Sequence, residues 1–134
     1  MYLSRHGMED GWKDISRRLP TRFGFGVATA AALPGRAFFM PLDPQSRTTV
    51  GDRFQIYKYT LATKSWRPLV RGNPFHGRHA IHQEGLAADR LDPAGIYAGT
   101  TTGRPIWSAD GGDSWTMLPY QFPAIHSVEA FVEE

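Results

Sequence analysis

The densest group of side chains able to move protons or hold a cation is Arg78-His79-Ala80-Ile81-His82-Gln83-Glu84, with Asp89 just downstream. Read as an extended strand, it puts His82 and Glu84 on one face and His79 and Ile81 on the other. A histidine beside a carboxylate can act as an acid/base pair or ligate a divalent metal. The competing reading is a hydrogen-bonded polar rim. The spacing His79-x-x-His82 brings no further ligand of known proximity, so no metal and no cofactor is expected. His126 and Arg104 are the other candidates. Arg104 follows Gly103 at a turn, where it could hold an anion or simply lie at the surface. The candidate catalytic pair is thus His82 and Glu84, and the candidate binding residues are Arg78, His79, Asp89, Arg104 and His126.

The bulk composition narrows the classes of function. The 15 Lys and Arg nearly balance the 13 Asp and Glu, for a net charge of +2, and no run of five like charges exists. A nucleic-acid partner is therefore not expected. The absence of cysteine excludes a disulfide framework, a thiolate metal site and a Cys nucleophile. Met1 to His6 lacks an apolar signal core, and no run approaches the roughly 18 apolar residues of a membrane span. These features predict a cytoplasmic chain with no membrane partner. Its 134 residues suit one domain, 1–134. The 14 Gly and 10 Pro interrupt nearly every window that a helix would need, apart from 79–88. Many short strands joined by turns are predicted.

The elements that must position these residues are most legible at Ser108-Ala109-Asp110-Gly111-Gly112-Asp113-Ser114-Trp115. Asp-Gly-Gly supplies positive-φ positions for a tight turn, and Asp110 can accept bonds from the turn's own N–H groups. Trp115 then has a large ring to bury beside the hairpin. The octet satisfies the pattern Ser/Thr-x-Asp-x-Gly-x-Ser/Thr-Trp, and so resembles the Asp-box (BNR) repeat of sialidase-like β-propellers. In that family the box is a folding element, which implies structural roles for Ser108, Asp110, Gly112, Ser114 and Trp115.

Weaker copies occur upstream. Trp12, Trp66 and Trp115 each have an apolar residue three positions on (Ile15, Leu69, Leu118) and a proline eight positions on (Pro20, Pro74, Pro123). Their separations, 54 and 49 residues, are each about one blade length. Upstream of Trp12, Ser4 and a glycine survive, with His6 where the box Asp belongs. Upstream of Trp66, Thr60 to Ser65 has lost the Asp-Gly turn. Between the tryptophans, strands are expected at Phe25–Leu33, Gly35–Met40, Phe54–Tyr59, His79–Glu84, Ile96–Thr100 and Ile125–Val132. Residues 43–52 should form a loop, Leu91–Gly95 a turn, and 79–88 has a short helix as its alternative.

Asp92 to Gly103, the box, and Pro123 to Val128 together resemble the C-terminal end of bacterial proteins labelled exo-α-sialidase or BNR-repeat glycosyl hydrolase. Phe23-Gly24-Phe25 and Phe39-Met40-Pro41-Leu42 extend the resemblance. It implies an all-β propeller segment with four-stranded antiparallel blades: about two full blades and parts of two more, short of a closed ring. Upstream blades or copies of the chain would then complete it. Sialidases use an arginine triad, a Tyr nucleophile assisted by Glu, and an Asp acid/base. No complete triad maps onto this chain, and Gly103-Arg104-Pro105-Ile106 only scrambles the family's Arg-Ile-Pro motif. The expectation is a noncatalytic module that binds a protein or a glycan. The alternative is part of a glycoside hydrolase whose catalytic residues lie mostly in upstream blades. Trp107 is expected to pack between blades rather than to serve as a sugar platform.

Overall fold

The computed structural model describes residues 1–7, 9–72 and 77–133. Pro74, which completes the Trp66 repeat, lies outside the described residues. Among the described residues the chain is all-β. It has no helix long and apolar enough to cross a membrane.

A first hairpin pairs β1 (Tyr2–Leu3) with β2 (Lys13–Asp14). A four-stranded antiparallel sheet follows in chain order: β3 (Val27–Ala28), β4 (Arg36–Phe39), β5 (Ile56–Thr60) and β6 (Ser65–Leu69). A second repeats the same meander: β7 (Leu86–Ala88), β8 (Ile96–Gly99), β9 (Pro105–Ser108) and β10 (Thr116–Met117).

Alternation along the strands gives each sheet two faces, and in the first sheet both are apolar and covered. In the first sheet Phe38, Ile56 and Leu69 point one way, and Phe39, Tyr59 and Trp66 the other. The first set joins Leu86, Ile96, Ala98, Ile106 and Trp115 of the second sheet in the larger core. The second set packs with Leu3, Ile15 and Leu19 around the first hairpin. The molecule is thus a stack of hairpin, sheet and sheet, with one apolar seam at each junction.

The structure corrects several expected elements. The strand expected over Phe25–Leu33 shrinks to β3. Beyond it the chain turns back, with the Leu33 N–H donating to Ala30 O (3.0 Å) and the Arg36 N–H to Leu33 O (3.1 Å). The inner strand expected at His79–Glu84 lies at Leu86–Ala88 instead. Gln83 adopts φ 48° and the Gly85 N–H donates to His82 O (2.9 Å), so a turn breaks the extended run. Neither strand nor helix therefore sets His82 and Glu84 on a common face. Ile125–Val132 forms only an isolated parallel bridge, Ser127 to Glu84. Residues 43–52 carry no strand, as expected of a loop, with the Leu42–Thr49 bridge closing its first turn and the Val50–Arg53 bridge its second.

Candidate functional site

The octet folds as a turn held by its own side chains. Ser108, 1% exposed, receives the Gly112 N–H on Oγ (2.8 Å) and donates to Asp110 Oδ1 (2.7 Å). Asp110 in turn accepts the Ser114 N–H on Oδ1 (2.8 Å) and the Ser114 hydroxyl on Oδ2 (2.5 Å). Partial burial alone would push the Asp110 carboxyl up. The bonds from Ser114, Ser108 and the Asp113 backbone outweigh it and hold the pKa at about 2. Gly111 and Gly112, at φ 66° and 88°, take the left-handed positions. A Cβ on Gly112 would stand 2.6 Å from the Phe38 ring, so the turn presses its backbone onto the first sheet.

Two tryptophans occupy equivalent places. Trp115, 6% exposed, shares the larger core with Leu69 and lines one gap with it, and its backbone N–H donates to Arg71 O (3.2 Å). Trp66, 4% exposed, lies beside Ile15, and its Nε1–H donates to Ile15 O (2.6 Å). Each tryptophan therefore shares a core with the apolar residue three positions after the preceding tryptophan. Trp115 Nε1 is buried without a hydrogen-bond partner among the described residues. Trp12, whose place precedes both seams, is 63% exposed.

The polar edges of the two seams differ. In the second, Lys58 Nζ donates to Gly111 O (3.3 Å) and to Asp113 Oδ1 (2.9 Å), and Arg67 stands 3.8 Å from the same carboxylate. Lys58 and Arg67 are cross-strand partners. The same pair of positions in the first hairpin holds Leu3 and Lys13. The position of Asp113, two before its tryptophan, holds Lys64. No ion pair closes this edge among the described residues, and a cleft of about 590 Å³ opens between the hairpin and the β5–β6 turn. None of these lysines stood out in the sequence. Aligning the repeats on their tryptophans would have placed Lys13 opposite Lys64.

The candidate residues named from sequence are spread over separate contacts. His82 Nε2 meets Arg47 O (2.7 Å), and its ring tilts against Phe25 at 5.2 Å. His79 Nδ1 meets Thr102 Oγ1 (2.6 Å). Glu84 is exposed, and its backbone bridges the C-terminal segment: its N–H donates to His126 O (3.0 Å) and its carbonyl accepts the Val128 N–H (2.9 Å). Arg78 pairs with Asp52 at the surface (3.5 Å). Arg104 is fixed through its backbone, with its N–H on Thr100 Oγ1 (3.0 Å).

Asp89 is buried and organises the β7–β8 turn. It accepts the N–H groups of Gly95 (2.8 Å) and Leu91 (3.0 Å) and the Tyr97 hydroxyl (2.8 Å). Burial opposes its charge, but these bonds prevail and hold the carboxyl below its ordinary range. Burial, then the bond and charge of Asp89, push the Tyr97 phenol up. Trp107 stacks on Tyr97 at 6.2 Å on the face turned away from the first sheet. No group of three or more His, Asp or Glu side chains among the described residues is placed to hold a metal ion. A scan against protein-family models and a search of the curated proteins each return no match.

Proposed function

We propose that the chain is a stretch of an Asp-box β-propeller serving as a noncatalytic module that binds a protein or a glycan. The observation that carries this reading is the repeated seam, with Trp66 on Ile15 and Trp115 on Leu69. An array whose units bury their faces only against neighbours is the physical signature of a repeat architecture. Both ends of the stack carry the unfilled halves of such seams. Trp12 projects from the first hairpin. The second sheet turns Tyr97 and Trp107 outward, on the face opposite Ile96 and Ala98. Upstream blades or further copies of the chain are the partners that these ends fit. His82, His79 and Asp89 are engaged in contacts that hold loops, which favours a binding module over a hydrolase.

Two measurements test this. On a glycan array and with α-ketosides of sialic acid, the chain is expected to bind a defined set of ligands saturably and to hydrolyse none above background. Turnover that disappears in His82→Ala or Glu84→Gln would make it an enzyme and end the reading. Light scattering tests the architecture. A discrete closed oligomer supports a ring of copies, and a monomer that joins its upstream blades when co-expressed supports a longer ring. A stable monomer indifferent to both would remove the propeller.

A further inference from the structure

We propose that the cleft between the β1–β2 hairpin and the β5–β6 turn binds a small organic anion. Its carboxylate, sulfate or phosphate group takes the place that the Asp113 carboxylate fills in the second seam. The two seams share one backbone plan, so one serves as the reference for the other. Where Asp113 sits between Lys58 and Arg67 and closes the second seam, Lys64 and Lys13, at the positions of Asp113 and Arg67, both line the cleft in the first. Ammonium groups that share one cleft repel, and an anion between them offsets the repulsion.

The rest of the lining fits that occupant. Arg5 and Arg17 add two further cations, and neither has an ion pair among the described residues. The two carboxylates in the cleft already have partners. Asp10 meets His6. Asp14 accepts the Ser16 N–H (2.8 Å) and pairs with Arg22 (3.0 Å). Four cations, Arg5, Lys13, Arg17 and Lys64, therefore line the cleft against two carboxylates, Asp10 and Asp14, and positive charge is in excess. Guanidinium groups can grip an oxyanion through two parallel bonds.

The apolar lining comes from Ile15, Tyr59 and Leu61, which suits a ring or a hydrocarbon body and not a bare ion. A volume of about 590 Å³ lies within the range of roughly 300–1,000 Å³ typical of small-molecule sites. The site lies wholly between two hairpins of this chain. It does not depend on ring closure or on the partner proposed above.

Titration calorimetry at low salt tests the site, with phenyl phosphate and benzoate as probes and phenol and inorganic phosphate as controls. The aryl anions are expected to saturate one site, with affinity falling as salt rises. Lys64→Asp places a carboxylate where Asp113 stands in the other seam. It should weaken both aryl anions by roughly tenfold or more, which is about 1.4 kcal/mol, while the melting temperature holds or rises. Arg17→Ser gives a second, independent loss should Lys64→Asp fold poorly. No saturable binding of either probe overturns the proposal, as does binding unchanged in both variants. Phenol binding as tightly as phenyl phosphate would also overturn it. Inorganic phosphate binding equally well would overturn the organic body and leave only an ion site.

Discussion

The two seams are built on the same plan and closed by different means. In the second, an intact box packs Gly112 against Phe38 and Leu69 and offers Asp113 to Lys58. In the first, Leu61-Ala62-Thr63-Lys64 replaces Asp110-Gly111-Gly112-Asp113. The shorter turn is held by the Lys64 N–H on Leu61 O (3.2 Å) and by Thr63 Oγ1 near Ser65 Oγ (2.8 Å), with Lys64 at φ 50°. Both tryptophans are buried all the same. The lesson is that the tryptophan and the apolar residue it covers define the seam. The box determines how tightly its polar edge shuts.

The largest effect should come from the tryptophans. Trp66→Ala and Trp115→Ala are each expected to cost about 3–5 kcal/mol in chemical denaturation. Similar losses at the two sites would support their equivalence, and a near-neutral Trp66→Ala would break it. Phenylalanine sharpens the comparison. Trp66→Phe also gives up the Nε1–H bond to Ile15 O, whereas Trp115 Nε1 has no partner among the described residues to lose. Trp66→Phe should therefore cost more, by about 0.5–1.5 kcal/mol.

The turn itself comes next. Gly112→Ala would drive a Cβ toward the Phe38 ring at φ 88° and should cost about 1–3 kcal/mol. The equivalent exposed residue, Thr63, should tolerate alanine within about 0.5 kcal/mol. Equal effects in thermal melts would mean that the box turn does not press on the first sheet as described.

How much of this could be read from the sequence depends on the range of the interactions. The box was legible because Ser108, Asp110, Gly112 and Ser114 bond within one short turn, so residue types alone encode it. The tryptophan repeat was legible as spacing. The inner strand was misplaced because Gln83 takes a left-handed conformation that no glycine announces. The apolar run after Phe25 reads as a long strand, yet Ala31 and Ala32 lie in a turn. The Lys13–Lys64 cleft is legible only once the repeats are aligned on their tryptophans, because it depends on which strand positions meet across two hairpins, a tertiary fact. The candidate cluster at 78–84 was chemically suggestive, but the structure disperses it among loop contacts.

Acid should separate the two turns. The Asp110 pKa, about 2, lies below its unfolded value near 3.8. Its contribution to stability is therefore complete above the unfolded value and is lost as pH falls from about 4 through 2. Solvent around this exposed side chain keeps the effect small. Asp14 and Asp43 shift the same way through bonds from Ser16 and from Ser46, so the wild-type melting curve should decline in acid even without Asp110. The expected result for Asp110→Asn is a lower melting temperature at pH 6 and a shallower decline below pH 4. An unchanged acid slope would mean that the box carboxylate contributes no net stability.

The smallest effect is also the most direct test of why the seams differ. Asp113→Lys puts a lysine in the second seam where the first has Lys64, leaving three cations at that edge against two in the first. Lys64→Asp does the reverse. Exposed ion pairs contribute only about 0.2–1 kcal/mol and are screened by salt. Asp113→Lys should therefore lower stability slightly at low salt, and the loss should fade at high salt. Lys64→Asp should raise it by a similar or smaller amount, since Leu3 offers no second cation where Lys58 stands. The double variant should come close to the parent, because the two edges are separate and their effects should add. If charge alone kept the first cleft open, Asp113→Lys would also create a weak anion site beside Lys58. If it binds no aryl anion, the missing glycine turn, and not the reversed charge, is what opens the first seam.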